Sequence, residues 1–195
     1  MGPFTGVNHL AMVTPNMDTT IRFWRDLLGC PLVAGLGHPG YRHYFFSLSP
    51  HDMIAFFEWP DVEPIPERDH GAPITGPIAF DHVSLSVAQR DDLYDIKAKL
   101  EAAGFWASEV IDHGFILSLY AFDPHNIPIE FSYPVPGQDP RSCPGTADTN
   151  PSALAQEGAN PIPHVWPKPE PFPEEDKLVF PGEGLELAAC RGEDK

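Results

Sequence analysis

The chain has 195 residues, 42% of them apolar, with 28 Asp and Glu against 12 Lys and Arg, a formal charge of −16. That balance supplies a core for one domain or two small ones, and it excludes nucleic acid and an anionic membrane surface as partners, since both require clustered basic side chains. No apolar run approaches the ~20 residues of a membrane span, no basic-then-apolar leader opens the chain, and Cys30, Cys143 and Cys190 form no CxxC pair, so a reducing cytoplasm is the expected location.

Residues 7–13, VNHLAMV, alternate loosely and predict a strand, which Pro15-Asn16 breaks. Met17, Ile21, Trp24, Leu27 and Leu28 recur at helical spacing over 17–28, with Asn16 placed to cap the helix and Gly29 to stop it. Strand-like runs follow at 31–35, 41–48 and 53–59, the last two flanking the turn signal Ser49-Pro50-His51-Asp52. A Pro-rich linker, 60–78, leads into a second pass through the same pattern. Residues 79–87 predict a strand. Residues 90–103 predict a helix with Leu93, Ile96, Lys97 and Leu100 on one side and Gly104 as its stop. Strands are expected at 105–111, 115–122 and 127–133, with Asp123-Pro124-His125-Asn126 turning the last pair.

Each pass is β-α-β-β-β, so the chain reads as an α+β protein of two repeated modules, about 4–59 and 79–133, within a domain spanning 4–133. From Pro134 the composition shifts: residues 134–195 hold 12 of the 24 prolines and little periodicity, and predict an irregular, extended tail without its own core. Val165, Trp166, Phe172, Leu178 and Phe180 give that tail apolar anchors, expected to pack over the main body or a partner subunit.

Two His–Glu pairs repeat with the modules. His9 precedes Glu58 by 49 residues and His82 precedes Glu130 by 48. Each His lies early in an apolar run and each Glu ends or follows one, and a carboxylate inside an apolar strand is costly to bury without a cation nearby. His9, Glu58, His82 and Glu130 are thus the expected ligands of one divalent ion such as Fe, Mn, Ni or Zn. If residues 123–127 form the last hairpin loop, Tyr120 lies opposite Glu130 on one face. A turn centred on Pro50-His51 puts His43 opposite Glu58, where an imidazole titrating near neutral pH can move protons. His38, His51, His70, His125 and His164 read as loop residues without a role.

The paired modules, NHLAMV and FDHVSL at their starts, and FWRDLLG closing the first helix resemble the vicinal oxygen chelate superfamily over roughly residues 4–133. That superfamily holds glyoxalase I, type I extradiol dioxygenases, and fosfomycin- and bleomycin-resistance proteins. The resemblance implies that each module curls into a half-barrel and that two modules make a cleft with a metal on its floor. A second stretch, residues 111–130, IDHGFILSLYAFDPHNIPIE, looks like the extradiol dioxygenase signature, with Asn126 departing from its usual Gly or Pro. By that resemblance Glu130 is a metal ligand, and His113 and Tyr120 contact substrate and oxygen.

The two resemblances pull apart at Glu58. Glyoxalase I commonly has a Glu as fourth ligand around that point, whereas extradiol dioxygenases hold iron with two His and one carboxylate. The sequence leaves both reactions open, and the first expectation is an Fe(II) or Mn(II) dioxygenase acting on a catechol- or hydroquinone-like small molecule, with His113 or His43 moving protons and Tyr120 donating a hydrogen bond. The alternative is a glyoxalase-like lyase or isomerase with Ni(II), Zn(II) or Mn(II) as Lewis acid. A non-catalytic, drug-binding module is a third reading, and the four ligand-type residues weigh against it. The modules either form one barrel within a chain or exchange between the chains of a homodimer.

Overall fold

In the computed structural model, residues 6–75, 80–142, 144, 147–149, 151–163, 165–181, 185 and 187 are described. Residues 4–5 and 76–79, Cys143, His164 and Cys190 from the expectations above lie outside them. The chain divides into Met1–Pro136 and Gly137–Lys195.

In the first unit, strand β1 (His9–Thr14) runs into helix α1 (Met17–Ile21), which continues as π-helical turns from Arg22 to Leu27. Asn16 caps α1 through its side-chain oxygen, which accepts the Thr19 N–H at 3.0 Å, a contact that contributes about 1 kcal/mol. The wider π turn carries the Leu28 N–H to the Phe23 carbonyl and sets two consecutive large rings, Phe23 and Trp24, into the core. Strands β2 (Leu32–His38), β3 (Tyr41–Ser47) and β4 (Met53–Glu58) follow, and the sheet order is β1-β4-β3-β2, with β1 and β4 parallel.

The second module repeats the plan with β5 (Val83–Ser86), α2 (Arg90–Ala102), β6 (Ile111–Asp112), β7 (Ile116–Phe122) and β8 (Pro128–Pro134), in the order β5-β8-β7-β6. A Gln89–Asp92 capping box starts α2. The expected strand over 105–111 shrinks to β6 and an isolated bridge between Ala107 and Ala121. Ser108 diverts the pairing: its hydroxyl accepts the Tyr120 N–H, and its carbonyl takes the Lys97 ammonium.

Both sheets turn their helix-bearing faces into one core. Met17, Phe23, Trp24, Ile54 and Phe56 from the first module join Leu93, Leu100, Leu119, Ile129 and Phe131 from the second. Phe23 meets Phe105 edge-on at 4.9 Å. Each such buried side chain contributes roughly 2 kcal/mol. Alternation along the strands then sends His9, Ala11 and Val13 to the opposite face of the first sheet, and Tyr120, Glu130 and Ser132 to the opposite face of the second. Strands β1 and β2 end the first sheet and β5 and β6 the second, each with one edge unpaired among the described residues.

The second unit is largely irregular among its described residues, with single 3₁₀ turns at Ala155–Glu157 and Glu174–Asp176 and helical backbone at Leu185 and Leu187. Its large apolar side chains Trp166, Phe172, Leu178, Val179 and Phe180 are exposed.

Candidate metal centre

The polar face of the second sheet gathers most of the chemistry. His82 stands just before β5, and its Nε2 lies 3.1 Å from Glu130 Oε2. Two donors each ~2.1 Å from a single cation at a right angle stand ~3 Å apart, so this pair fits two adjacent positions on one ion. His82 Nδ1 is 2.6 Å from Asp81 Oδ1, the carboxylate contact that fixes the tautomer and orientation of a ligand imidazole. That hydrogen bond, more than any other influence, holds the Asp81 carboxyl below its ordinary range. Glu130 is 4% exposed, and its second oxygen accepts the Ser118 hydroxyl.

Tyr120 lies directly opposite Glu130 in the β7–β8 register, as the turn chemistry predicts. Asp123 Oδ1 closes that turn on the N–H groups of His125 and Ile127, and Asn126 takes the positive φ of 65° that Asn tolerates. Burial, reinforced by the negative charge of Glu130, raises the Tyr120 phenol above its ordinary value, so it stays a donor at neutral pH. His113 Nε2 lies 3.0 Å from the Tyr120 hydroxyl, carried there by the turn between β6 and β7.

The first sheet contributes a different face. His9 is exposed, with its ring 5.4 Å from Phe45. His43 is buried, stacked on Phe57 at 3.6 Å and 4.3 Å from Phe45. His9 and His43 therefore share a face, with Phe45 between them.

Glu58 is not on that face. His43 pairs with Phe57, and it is Arg42 that pairs with Glu58. The expected register is off by one because Ser49 and Asp52 close a longer loop: the Ser49 hydroxyl accepts the His51 and Asp52 N–H groups, and Leu48 N–H reaches the Asp52 carbonyl. A slip of one residue turns each side chain to the other face. Glu58 Oε1 accepts the Met17 N–H at 2.7 Å and Oε2 pairs with Arg42 at 2.8 Å, so the carboxylate anchors the start of α1.

The matching sequence intervals also hide a difference in loop length. Ala11 pairs with Ala55, whereas Ser84 pairs with Glu130. With His9 set on His82, Ala55 occupies the position of Glu130, and Glu58 sits beside Thr14 at the far end of β1 from His9. Among the described residues, no three His, Cys, Asp or Glu side chains gather at metal-binding distance.

Cavities open away from His82, Glu130, Tyr120 and His113. One of about 780 Å³ opens on the helix side of the first sheet, beside Arg42, Tyr44 and Glu58. A smaller, apolar one of about 360 Å³ runs along β1 past Ile65, Phe80 and Ile127. His70, a loop residue by its sequence setting, packs on the second sheet's polar face, 4.6 Å from the Tyr120 ring. No sequence signal beyond its closeness to Asp81-His82 distinguishes it.

A family model described as the Glyoxalase/Bleomycin resistance protein/Dioxygenase superfamily matches residues 6–131. Among solved structures, a glyoxylase/bleomycin resistance protein/dioxygenase domain from Frankia sp. EAN1pec superposes with a TM-score of 0.57 at 20% identity, covering 68% of this chain and 99% of that one. Lactoylglutathione lyase from Agrobacterium tumefaciens gives 0.51 at 20% identity, covering 70% and 97%. The fosfomycin resistance protein FosX from Listeria monocytogenes gives 0.53 at 15% identity, covering 69% and 98%, and a further FosX structure is a complex with Mn(II) and sulfate. No curated protein matches the chain. At these identities the structures establish the fold, and about a third of this chain has no counterpart in them.

Proposed function

The chain belongs to the glyoxalase/bleomycin resistance protein/dioxygenase superfamily, and from that premise we propose that it is an Fe(II)- or Mn(II)-dependent, extradiol-type dioxygenase acting on a catechol- or hydroquinone-like small molecule. The observation that carries this reading is the engagement of Glu58 by Met17 and Arg42, on the face away from His9. It leaves two imidazoles and one carboxylate, His9, His82 and Glu130. Two His and one carboxylate with open positions suit a non-haem Fe(II) oxygenase, whereas a glyoxalase-like lyase would need a fourth ligand that Glu58 does not supply. An ion held by these three residues would anchor one ring oxygen of a hydroquinone or both of a catechol and supply the redox partner for dioxygen.

The remaining residues position and move protons. The Tyr120 phenol, protonated and directly opposite Glu130, donates a hydrogen bond toward the reacting atoms. His113, 3.0 Å from that hydroxyl, orients it. His43, on the face that carries His9, accepts a proton from the substrate, and Phe45 and Phe57 wall its ring.

His9 projects from one sheet and His82 and Glu130 from the other, while the two sheets bury their opposite faces together in one core. We therefore place the complete centre between two copies of the chain. One copy supplies His9 and His43, and the other supplies His82, Glu130, Tyr120 and His113. Of the four edge strands, β1 carries His9 and β5 directly follows His82, so theirs are the edges we assign to joining the copies.

The test is metal analysis of anaerobically purified protein together with oxygen uptake over a catechol and hydroquinone panel. The reading expects bound iron or manganese, its loss in His9→Ala, His82→Ala and Glu130→Ala, and oxygen consumption with at least one substrate. Full metal occupancy in His82→Ala would sink the assignment.

A further inference from the structure

Hydroxyl groups surround the buried carboxylate of the second sheet. In the strand register Tyr120 lies opposite Glu130 on one side and Ser84 on the other, and Ser118 pairs with Ser132 further along the same face. Ser84 spends its hydroxyl on Ser132 Oγ at 3.0 Å. Ser118 gives its hydroxyl to Glu130 Oε1.

Ser118 is wholly buried in β7, while Leu117 and Leu119 on either side of it turn to the core. An apolar side chain is the default at such a strand position, because a hydroxyl is costly to bury without a hydrogen bond. Glu130 provides that bond, and the carboxylate in turn gains a fixed orientation.

Its two oxygens are thereby set to different tasks. Oε2 lies 3.1 Å from His82 Nε2, on the side where one ion would bridge the pair. Oε1 is held on Ser118. Turning the carboxylate to bring both oxygens onto the ion would break that bond and strand a buried hydroxyl. We propose that Ser118 is a positioning residue, which holds Glu130 so that it binds the ion through Oε2 alone. This rests on the metal centre of the reading above and adds to it how many positions the ion keeps open. An octahedral ion held by His9, His82 and one oxygen of Glu130 keeps half of its positions, room for both oxygens of a catechol and for dioxygen. A Glu130 bound through both oxygens would take one of those away.

The experiment uses full-length protein loaded anaerobically with Mn(II). Bound manganese is counted, and the relaxation rate of solvent protons reports the water molecules on each bound ion. Ser118→Ala removes the hydroxyl and frees Oε1, whereas Ser118→Thr keeps a hydroxyl. We expect unchanged manganese content in both variants. The relaxation enhancement per bound ion should fall by about a third in Ser118→Ala, as the freed oxygen displaces a water, and return toward the parent in Ser118→Thr. A hydroxyl that served the fold alone would lower the melting temperature on removal and leave the bound water unchanged. Unchanged relaxation in Ser118→Ala, an equal fall in the Ala and Thr variants, or loss of manganese would each overturn the proposal. A parent that binds no Mn(II) would refute the metal centre and the Ser118 proposal with it. A manganese-loaded parent with an unresponsive Ser118→Ala would refute the Ser118 proposal alone.

Discussion

Replacing Glu58 by Ala separates a structural carboxylate from a metal ligand. The substitution removes the acceptor of the Met17 N–H, a charge-assisted contact of 2.7 Å at the start of α1, which contributes about 1–2 kcal/mol. It also breaks the pair with Arg42, whose side chain is 47% exposed, so solvent screening limits that part to about 0.5 kcal/mol. The expected destabilisation is about 2 kcal/mol, which at an ordinary urea dependence moves the unfolding midpoint down by roughly 1 M. Glu58→Gln keeps an acceptor for Met17 and should lose less than about 1 kcal/mol. Metal content should stay at the parent level in both variants. Urea denaturation followed by fluorescence, paired with metal analysis, gives the answer. Loss of the metal with unchanged stability would refute the register argument and return Glu58 to the ligand set.

Tyr120→Phe should lower turnover on an established substrate by more than about tenfold with metal retained, since it removes a hydrogen bond directed at the reacting atoms; an unchanged rate would make Tyr120 a packing residue. Asp123 is pushed upward by burial, against the pull of the Ile127 and His125 N–H groups. A carboxyl raised in the folded state withdraws stability as pH climbs from its unfolded value through its folded one. Asp123→Asn keeps an acceptor for both N–H groups and removes that withdrawal, so its melting temperature relative to the parent should rise from about pH 4, the ordinary carboxylate range, upward. A difference that stays flat as pH climbs would contradict the direction of the shift. Burial pushes the Cys30 thiol up to about 11, so alkylation of Cys30 in the native state at neutral pH should be slow, and rapid labelling would contradict its half-buried setting.

The two modules were legible because each carries its own stop and turn chemistry. Asn16 and Gly29 bound the first helix, and Asp123 with Asn126 fixes the β7–β8 hairpin so firmly that the pairing of Tyr120 with Glu130 follows from residue types alone. The first hairpin was not legible in the same way. Ser49-Pro50-His51-Asp52 announces a turn, but where that turn closes depends on the Ser49 hydroxyl, and one residue decides whether His43 or Arg42 meets Glu58. The near-equal intervals from His9 to Glu58 and from His82 to Glu130 suggested equivalence, while the strand pairings put Ala55 at the place of Glu130. His70 was invisible for a different reason. Its place over the second sheet comes from where Asp81 and Arg68 pin the linker, a tertiary contact with no periodicity to reveal it.

Complementation between inactive variants tests the shared centre most directly. His9→Ala and His82→Ala chains are each expected to bind no metal and show no oxygen uptake alone. Unfolded together and refolded as a mixture, they form mixed pairs in which one centre carries both substitutions and the other carries neither. A centre built from two copies predicts that the mixture regains metal and activity, up to roughly a quarter of the parent's sites for random pairing. A mixture that stays as inactive and metal-free as its components would contradict it.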